Sequence, residues 1–258
     1  MQRRTVIDAD SIIHAVASIN ENNTSNDLQV TTEVAFRINT ILKNTDATHY
    51  VGFIGVSGGT YRHKLAVTKP YKGNRPTEPS KGMKRWRKVI EDYMMSNFNI
   101  YQVKDVEADD CCISYAEMFS NVTIASNDKD LRQKAGKIYV YTGSKNRAEG
   151  LHIITEEEAE LNLMSQMITG DVGDSISGLP GKGKVFLDKM LAEGKNLSDV
   201  IELYRSTVGD TYLLEQYELL RMKRDLCPIY PFRPVPEFVQ HTSFDTPETR
   251  FPFAAFEQ

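Results

Sequence analysis

Cysteine is scarce: Cys111, Cys112 and Cys227 are the only three in 258 residues. An odd, sparse set with two adjacent members makes no disulfide framework. Nor does it make a zinc site, which uses spaced pairs of Cys or His. The three read as free, mostly buried thiols. Long apolar runs are missing too, with no stretch near the roughly 20 residues of a membrane helix. The basic start Met1-Gln2-Arg3-Arg4 reaches Asp8 too soon for a signal-peptide core. The expected setting is therefore cytoplasmic, with no membrane partner. There is no internal repeat and no low-complexity tract, which excludes a solenoid. Proline is sparse until the end, six of the ten lying from Pro228 onward. The rest, 40% hydrophobic and 26% charged, suits a soluble chain with a sizeable core.

A large net charge is also lacking. The value of −4 by itself speaks against nucleic acid. The distribution reverses that. From Arg62 to Lys88 there are ten bases (Arg62, Lys64, Lys69, Lys72, Arg75, Lys81, Lys84, Arg85, Arg87, Lys88) against one acid, Glu78. This segment carries +9 and the remainder −13. A charge run is usually a solvated loop. On an acidic body it can instead track a phosphate backbone.

What is present is acid in tight groups. Asp8 and Asp10 follow the apolar run Thr5-Val6-Ile7. Glu107, Asp109 and Asp110 follow Ile100 to Val106. Asp128 and Asp130 follow Val122 to Ala125, and Asp171 and Asp174 precede Gly178-Leu179-Pro180-Gly181-Lys182-Gly183-Lys184. Any one group has a bland explanation, since acids suit helix N-termini on dipole grounds. Together they repel unless something positive sits among them.

The pattern places strands at Arg3 to Asp8, His49 to Ile54, Ile100 to Val103 and Val122 to Ala125. A hairpin of Lys137 to Thr142 and Leu151 to Ile154 turns at Gly143-Ser144-Lys145-Asn146. Helices are expected at Ser11 to Ile19, Thr32 to Leu42, Met83 to Asn97 and Ala108 to Phe119, with a short one near Leu131. Thr155 and Glu158 form a capping box that opens a helix to about Ile168. Further helices follow at Lys184 to Leu191, Leu197 to Tyr204 and Tyr212 to Arg224. The fold class is thus α/β, with a helix-covered, mostly parallel central sheet and a helical C-terminal module. Ligands bind at the carboxyl ends of such strands, where Asp8, Glu107 and Asp128 lie.

Hard carboxylate oxygens at strand ends suit Mg²⁺ or Mn²⁺. Two such ions about 4 Å apart can hydrolyse a phosphodiester, one generating hydroxide and the other stabilising the leaving oxygen. Asp8, Glu107, Asp109 and Asp110 are assigned to one ion; Asp128, Asp130, Asp171 and Asp174 to the other. Glu107 and Asp110 share a helical face, and Asp109 points elsewhere on that turn. The Gly178 to Lys184 turn opens a helix and can present backbone N–H groups to phosphate. It lacks the Lys-Ser/Thr ending of a P-loop. An ordinary helix–turn–helix corner is the other reading.

These residues, in this order, resemble the 5′-nuclease family of flap endonucleases and 5′→3′ exonucleases. That family includes the nuclease domain of bacterial DNA polymerase I and stand-alone phage enzymes. The likeness covers about residues 4 to 225. It rests on Val6-Ile7-Asp8, Tyr71-Lys72-Gly73-Asn74-Arg75, Glu107-Ala108-Asp109-Asp110, Asn127-Asp128-Lys129-Asp130-Leu131 and the run Gly170 to Gly183.

The resemblance implies a PIN-like 5′-nuclease fold over residues 1–168, with an arch at about 69–88. It implies a helix–hairpin–helix DNA-binding region at 169–227, followed by a Pro/Phe-rich strap at 228–258. It implies Mg²⁺-dependent cleavage of nicked, flapped or primer-bearing duplex DNA during replication. Lys72 would approach the scissile phosphate, with Arg62 and Arg75 steering it. Lys69, Lys81, Lys84, Arg85, Gly181, Lys182, Gly183 and Lys184 would bind DNA, with K⁺ at the hairpin. A single-strand-binding or clamp protein is the implied partner, and host cytoplasm the setting if the chain is phage-encoded. No polymerase domain follows, so a separate subunit is expected.

Two departures stand out. The family's Phe-Asp pair at the end of the second strand is Ile54-Gly55 here, with Asp10 or a water as the substitute. An Arg after the first aspartate is Ala15, beside His14. The first departure leaves an alternative: a structure-selective branched-DNA-binding protein with a weakened metal site. A metal-dependent ribonuclease is disfavoured by the duplex-binding hairpin.

Overall fold

Val6 and Ile7 are fully buried because the first strand, β1 (Arg4–Asp8), lies at the centre of the sheet with helices on both faces. In this computed structural model the described residues are 2–22, 25–56, 58–75, 78–143, 148–224, 227–237 and 239. Strands β2 (His49–Gly55), β3 (Ile100–Val103), β4 (Val122–Ala125), β5 (Gly136–Val140) and β6 (Gly150–Ile154) complete the order β3-β2-β1-β4-β5-β6. All neighbours run parallel except β5 and β6. A two-residue strand, β7 (Arg233–Pro234), pairs antiparallel with the start of β2.

One face of the sheet carries α1 (Ala9–Asn20), α2 (Asp27–Asn44) and α4 (Lys81–Asn97). Trp86, Ile90 and Met94, four apart on α4, make its buried stripe. The Trp86 indole donates to Asn20 O at 2.7 Å, tying α4 to the end of α1. The other face carries α5 (Ala108–Met118) over Val51, Phe53 and Ile138. A third cluster joins α6 (Glu156–Thr169), α7 (Lys184–Ala192), α8 (Leu197–Thr207) and α9 (Asp210–Leu220). The Thr155/Glu158 capping box forms as expected. The short helix near Leu131 is a 3-10 turn, Asp130–Gln133.

Several expectations need correction. A short helix, α3 (Tyr61–Leu65), and β7 were not anticipated. The helix expected from Met83 begins slightly earlier: α4 starts at Lys81 and packs onto α1 and α2. Lys81, Lys84 and Arg85 therefore sit on a docked helix. The last helix stops at Leu220 rather than Arg224, because side chains from elsewhere cap its final carbonyls, as described below. Of the strap, Tyr230 stacks on Tyr101 and Phe232 packs edge-on to Phe119. Phe238, Phe244, Phe251, Phe253 and Phe256 lie outside the described residues, as do Ser144, Lys145 and Asn146. Cys111 and Cys112 are buried, Cys227 partly so, and all three are free. Among the described residues no helix is long and apolar enough to cross a membrane.

Candidate active site

The chain reverses direction across the sheet between β1 and β4, so their carboxyl ends open a crevice. Asp8 ends β1 and takes the N-cap position of α1, yet makes no cap bond. Its Oδ2 instead accepts from Ser11 Oγ and Ser126 Oγ, each at 2.6 Å. Burial, then Asp10, pushes Asp8 up to about 6. Asp10 stands on the first turn of α1. Its Oδ2 accepts the Gly55 N–H at 2.8 Å, and its Oδ1 faces Arg87 at 3.2 Å. A Cβ on Gly55 would lie 2.8 Å from that Oδ2. The Asp10 carboxylate thus fills the space that a side chain at position 55 would need. Arg87 also donates to Gly55 O at 3.0 Å.

Glu107 caps α5 at the other side of the crevice. It meets Arg62 at 2.6 Å, Tyr71 OH at 2.8 Å and the Lys72 ammonium. Burial pushes Glu107 up, but Lys72 and Arg62 together outweigh it and the carboxyl falls below its ordinary value. Glu107, Asp109 and Asp110 bring one oxygen each within 4.8 Å of one another. Asp109 is pushed well up, by burial and then by Asp110 and Glu107, with Asp128 adding to it. Asp110 is fully buried: both its oxygens bond Arg62, at 2.7 and 2.9 Å, and Lys223 N–H reaches it at 2.8 Å. Glu107 and Asp110 thus share Arg62 Nη1, as two residues on one helical face can.

Arg62 is not a phosphate-steering residue. It is 2% exposed, and its guanidinium is consumed by Glu107, Asp110 and the carbonyls of Leu219 and Arg221. Buried guanidinium needs this many acceptors, and it holds α5 to the end of α9.

Asp128 and Asp130 follow β4 in a tight turn. Asp128 N–H donates to Ser126 Oγ and Asp130 N–H to Asp128 Oδ1, both at 2.9 Å. Burial, then Asp128, pushes Asp130 up to about 7. Asp171 and Asp174 sit in a closed turn pinned by the Asp171–Ile176 bridge. Gly170 and Gly178 have φ of +70° and +66°, and a Cβ on either would lie 2.3 Å from backbone of the other strand of the turn. Only glycine allows that approach.

The segment Tyr71 to Arg75 docks on this turn. Lys72 N–H donates to Asp174 O at 2.9 Å, Asn74 N–H to Ser175 Oγ at 3.1 Å, and Arg75 to Asp174 Oδ1 at 2.6 Å. Lys72 has φ +56°, a left-handed conformation that costs a non-glycine residue about 1 kcal/mol or more. The turn aims its ammonium at Glu107, 4.0 Å from Asp174. Strain of this kind gathers where a side chain must be held for use. Tyr71 OH lies 2.8 Å from Glu107 and 2.7 Å from Asp174. Burial, then Glu107, raises its pKa, so it remains a donor.

Sequence reasoning passed over Tyr71, Ser11, Ser126 and Arg87 as site members. It also missed Lys129, whose ammonium holds Asp171 at 2.7 Å. Ser11, Ser126 and Lys129 stand next to or two residues from an acid in the sequence, Tyr71 beside Lys72 and Arg87 within the basic run. Asp10 and Asp128 both add to the rise in the Asp8 pKa. Lys69 is exposed, and Gly181, Lys182, Gly183 and Lys184 line a solvent-facing turn away from the crowded acids. Lys182 lies over the Phe186 ring, and Lys184 pairs with Asp188. Lys84 pairs with Glu78 and Arg85 with Asp27.

The donor set fits a hard divalent cation. The oxygens are carboxylate, close-set, and several are raised in proton affinity by one another, as crowded acids lacking a cation must be.

Residues 3–163 match the family described as 5′-3′ exonuclease, N-terminal resolvase-like domain. DNA polymerase I of Rhizobium leguminosarum is 27% identical over 199 residues, 71% of this chain and 19% of that protein. DNA polymerase I of Bacillus subtilis is 26% identical over 214 residues, 76% of this chain and 24% of that protein. The chain thus spans about a fifth to a quarter of the length of these curated relatives. Among solved structures, a T5 protein co-crystallised with metal ions gives a TM-score of 0.66 at 15% identity, over 86% of this chain and 90% of that one. Human GEN1 in complex with Holliday junction DNA gives 0.56 at 17%, over 90% and 64%. These likenesses are of fold. With the matched family covering the sheet from β1 to β6, the chain belongs to the family described as 5′-3′ exonuclease, N-terminal resolvase-like domain.

Proposed function

We propose that the chain is a divalent-metal-dependent, structure-selective 5′ nuclease. It hydrolyses phosphodiesters near the 5′ end of nicked, flapped or primer-bearing duplex DNA during replication. The observations that carry this reading are Lys72 on Glu107, Arg75 on Asp174, and the mutual electrostatic influence of Asp8, Asp109, Asp128, Asp130, Asp171 and Asp174. Asp8, Glu107, Asp109, Asp128, Asp130, Asp171 and Asp174 would hold Mg²⁺ or Mn²⁺, with Asp10 beside them. Asp110 would serve through Arg62. The metal, when bound, supplies an activated water and neutralises charge on the phosphate. Lys72 meets the scissile phosphate and stabilises the charge that builds on it. Tyr71 and Glu107 hold that ammonium in register, and Arg75, more than half exposed, steers the strand.

The segment between α3 and α4 serves as the arch, with Lys69 on it and Lys81, Lys84 and Arg85 at its foot. The Gly178 to Lys184 turn is the hairpin of a helix–hairpin–helix that holds downstream duplex by its backbone, with K⁺ joining there. A single-strand-binding or clamp protein is the partner class that replication would bring.

The test is a 5′-labelled flap or nicked duplex with millimolar Mg²⁺ or Mn²⁺. Short labelled products from the parent, and none from Asp128→Ala, support the reading. Intact substrates under every such condition would falsify it. Gly55 favours a second reading, a branched-DNA binder without turnover. Asp10 speaks against it, since this acid stands where a side chain at position 55 would lie. One turnover per enzyme would exclude it.

A further inference from the structure

Five consecutive residues at the exit of α9 each spend a backbone group on the acid site. The carbonyls of Leu219 and Arg221 accept from Arg62, at 3.0 and 3.2 Å. Lys223 N–H donates to Asp110 Oδ1 at 2.8 Å. Leu220 O accepts from Gln133 Nε2 at 2.9 Å, and Met222 N–H donates to Gln133 Oε1 at 3.0 Å. Helix ends leave their last carbonyls unsatisfied, so something must cap them. Here the caps are the side chains that hold the carboxylates.

The Gln133 arm extends further. A backbone N–H can only donate and a backbone carbonyl can only accept, so Met222 and Leu220 fix which end of the Gln133 amide is which. Its Nε2 therefore also donates to Gln166 Oε1, at 2.5 Å. Gln166 is then left with Nε2 toward Asp130, where it donates to Oδ1 at 2.5 Å. Gln133 is 5% exposed and Gln166 9%, so water does not compete at either. The polarity of the relay is set at α9 and delivered at Asp130. It leaves one oxygen of Asp130, Oδ1, held by a donor.

We propose that Gln133 and Gln166 are positioning residues. They act in series to orient Asp130 for metal, while Arg62 orients Glu107 from the same stretch of α9. The helix is also the anchor of two other parts. Gln216 accepts the Gly178 N–H at 3.0 Å, Tyr212 donates to Gly178 O at 3.0 Å, and Glu215 Oε1 accepts the N–H groups of Val67 and Thr68, each at 2.6 Å. One helix thereby registers the glycine turn, the basic segment and the acids.

This inference rests on the nuclease reading above. The test is Gln166→Met, close in size but without a donor, with Gln133→Met and the double variant beside it. Binding of Mn²⁺ alone is followed by electron paramagnetic resonance, and cleavage is split into kcat and KM. Gln166→Met is expected to weaken Mn²⁺ binding about tenfold and to lower kcat, with KM for DNA and melting temperature unchanged. The double variant is expected to be no worse than Gln166→Met, because both act on one carboxylate through one path. Should Gln166→Met fail to fold, Gln166→Glu keeps the acceptor for Gln133 and still lacks the donor. Parent-like Mn²⁺ affinity in the folded variant overturns the inference, and so do losses that multiply in the double variant. A parent that binds Mn²⁺ but cuts nothing counts against the nuclease reading alone.

Discussion

Arg62 and Lys72 are both basic and both touch Glu107, yet burial separates their roles. Arg62 is almost wholly buried with every acceptor protein-borne, while Lys72 keeps about a fifth of its surface. Arg62→Gln is therefore expected to cost about 3–5 kcal/mol of stability, because it strands the buried Asp110 carboxylate. Urea unfolding reads this. Lys72→Met is expected to leave stability nearly unchanged and to cut kcat by roughly 100-fold or more, as loss of a charge-stabilising donor does. Equal effects of the two substitutions on stability would contradict the assignment. Gly55 gives a second case. Gly55→Asp alone must displace Asp10, whose Oδ2 would lie 2.8 Å from the new Cβ. It is expected to lower activity, and Gly55→Asp combined with Asp10→Ser to recover it. The two identities were plain in the sequence; that they compete for one space was not.

At the scale of elements, strand ends and helix starts were legible because period and punctuation agree. The alternation of β1, β2, β3 and β4 with helices fixed where the acids fall, and Thr155 with Glu158 marked the start of α6. What escaped were elements held by tertiary contacts. The helix α3 has only five residues, too short for a periodic signal, and is held through Arg62. The β7 strand exists because β2 has a free edge beside His49 and Tyr50. Within the basic segment the expected helix forms, from Lys81 onward, with Trp86 holding it to the body. Glu215 then governs what remains: it holds the N–H groups of Val67 and Thr68. Glu215→Ala is expected to speed proteolysis within residues 66–80 and to lower kcat/KM, with the melting temperature changed little. No change in cleavage by trypsin would contradict this.

For the whole molecule, the crowding of acids sets how stability depends on pH. Asp8 is pushed up to about 6 and Asp130 to about 7, each from 3.8 and each by burial first. An acid with a raised pKa binds its proton more tightly folded than unfolded. Its contribution is complete below 3.8 and is lost as pH climbs through those raised values. Glu107 runs oppositely: its lowered pKa contributes above 4.5 and is lost as pH falls below that. The metal-free protein is thus expected to melt at progressively lower temperature from about pH 5 to about pH 8, and Mg²⁺ to restore more at the higher value. Calorimetry with and without Mg²⁺ checks it; a melting temperature that rises over that window would refute it.

The sequence by itself determined the α/β order, the acids at the carboxyl ends of the strands and the basic segment opposite them, because local period and charge spacing need no partner. Only the tertiary structure decided which cation each acid meets. Asp110 is spent on Arg62 because that residue, 48 positions away, comes to rest against α9. Such a choice belongs to whichever cation the packing leaves buried, and no spacing along the chain records it.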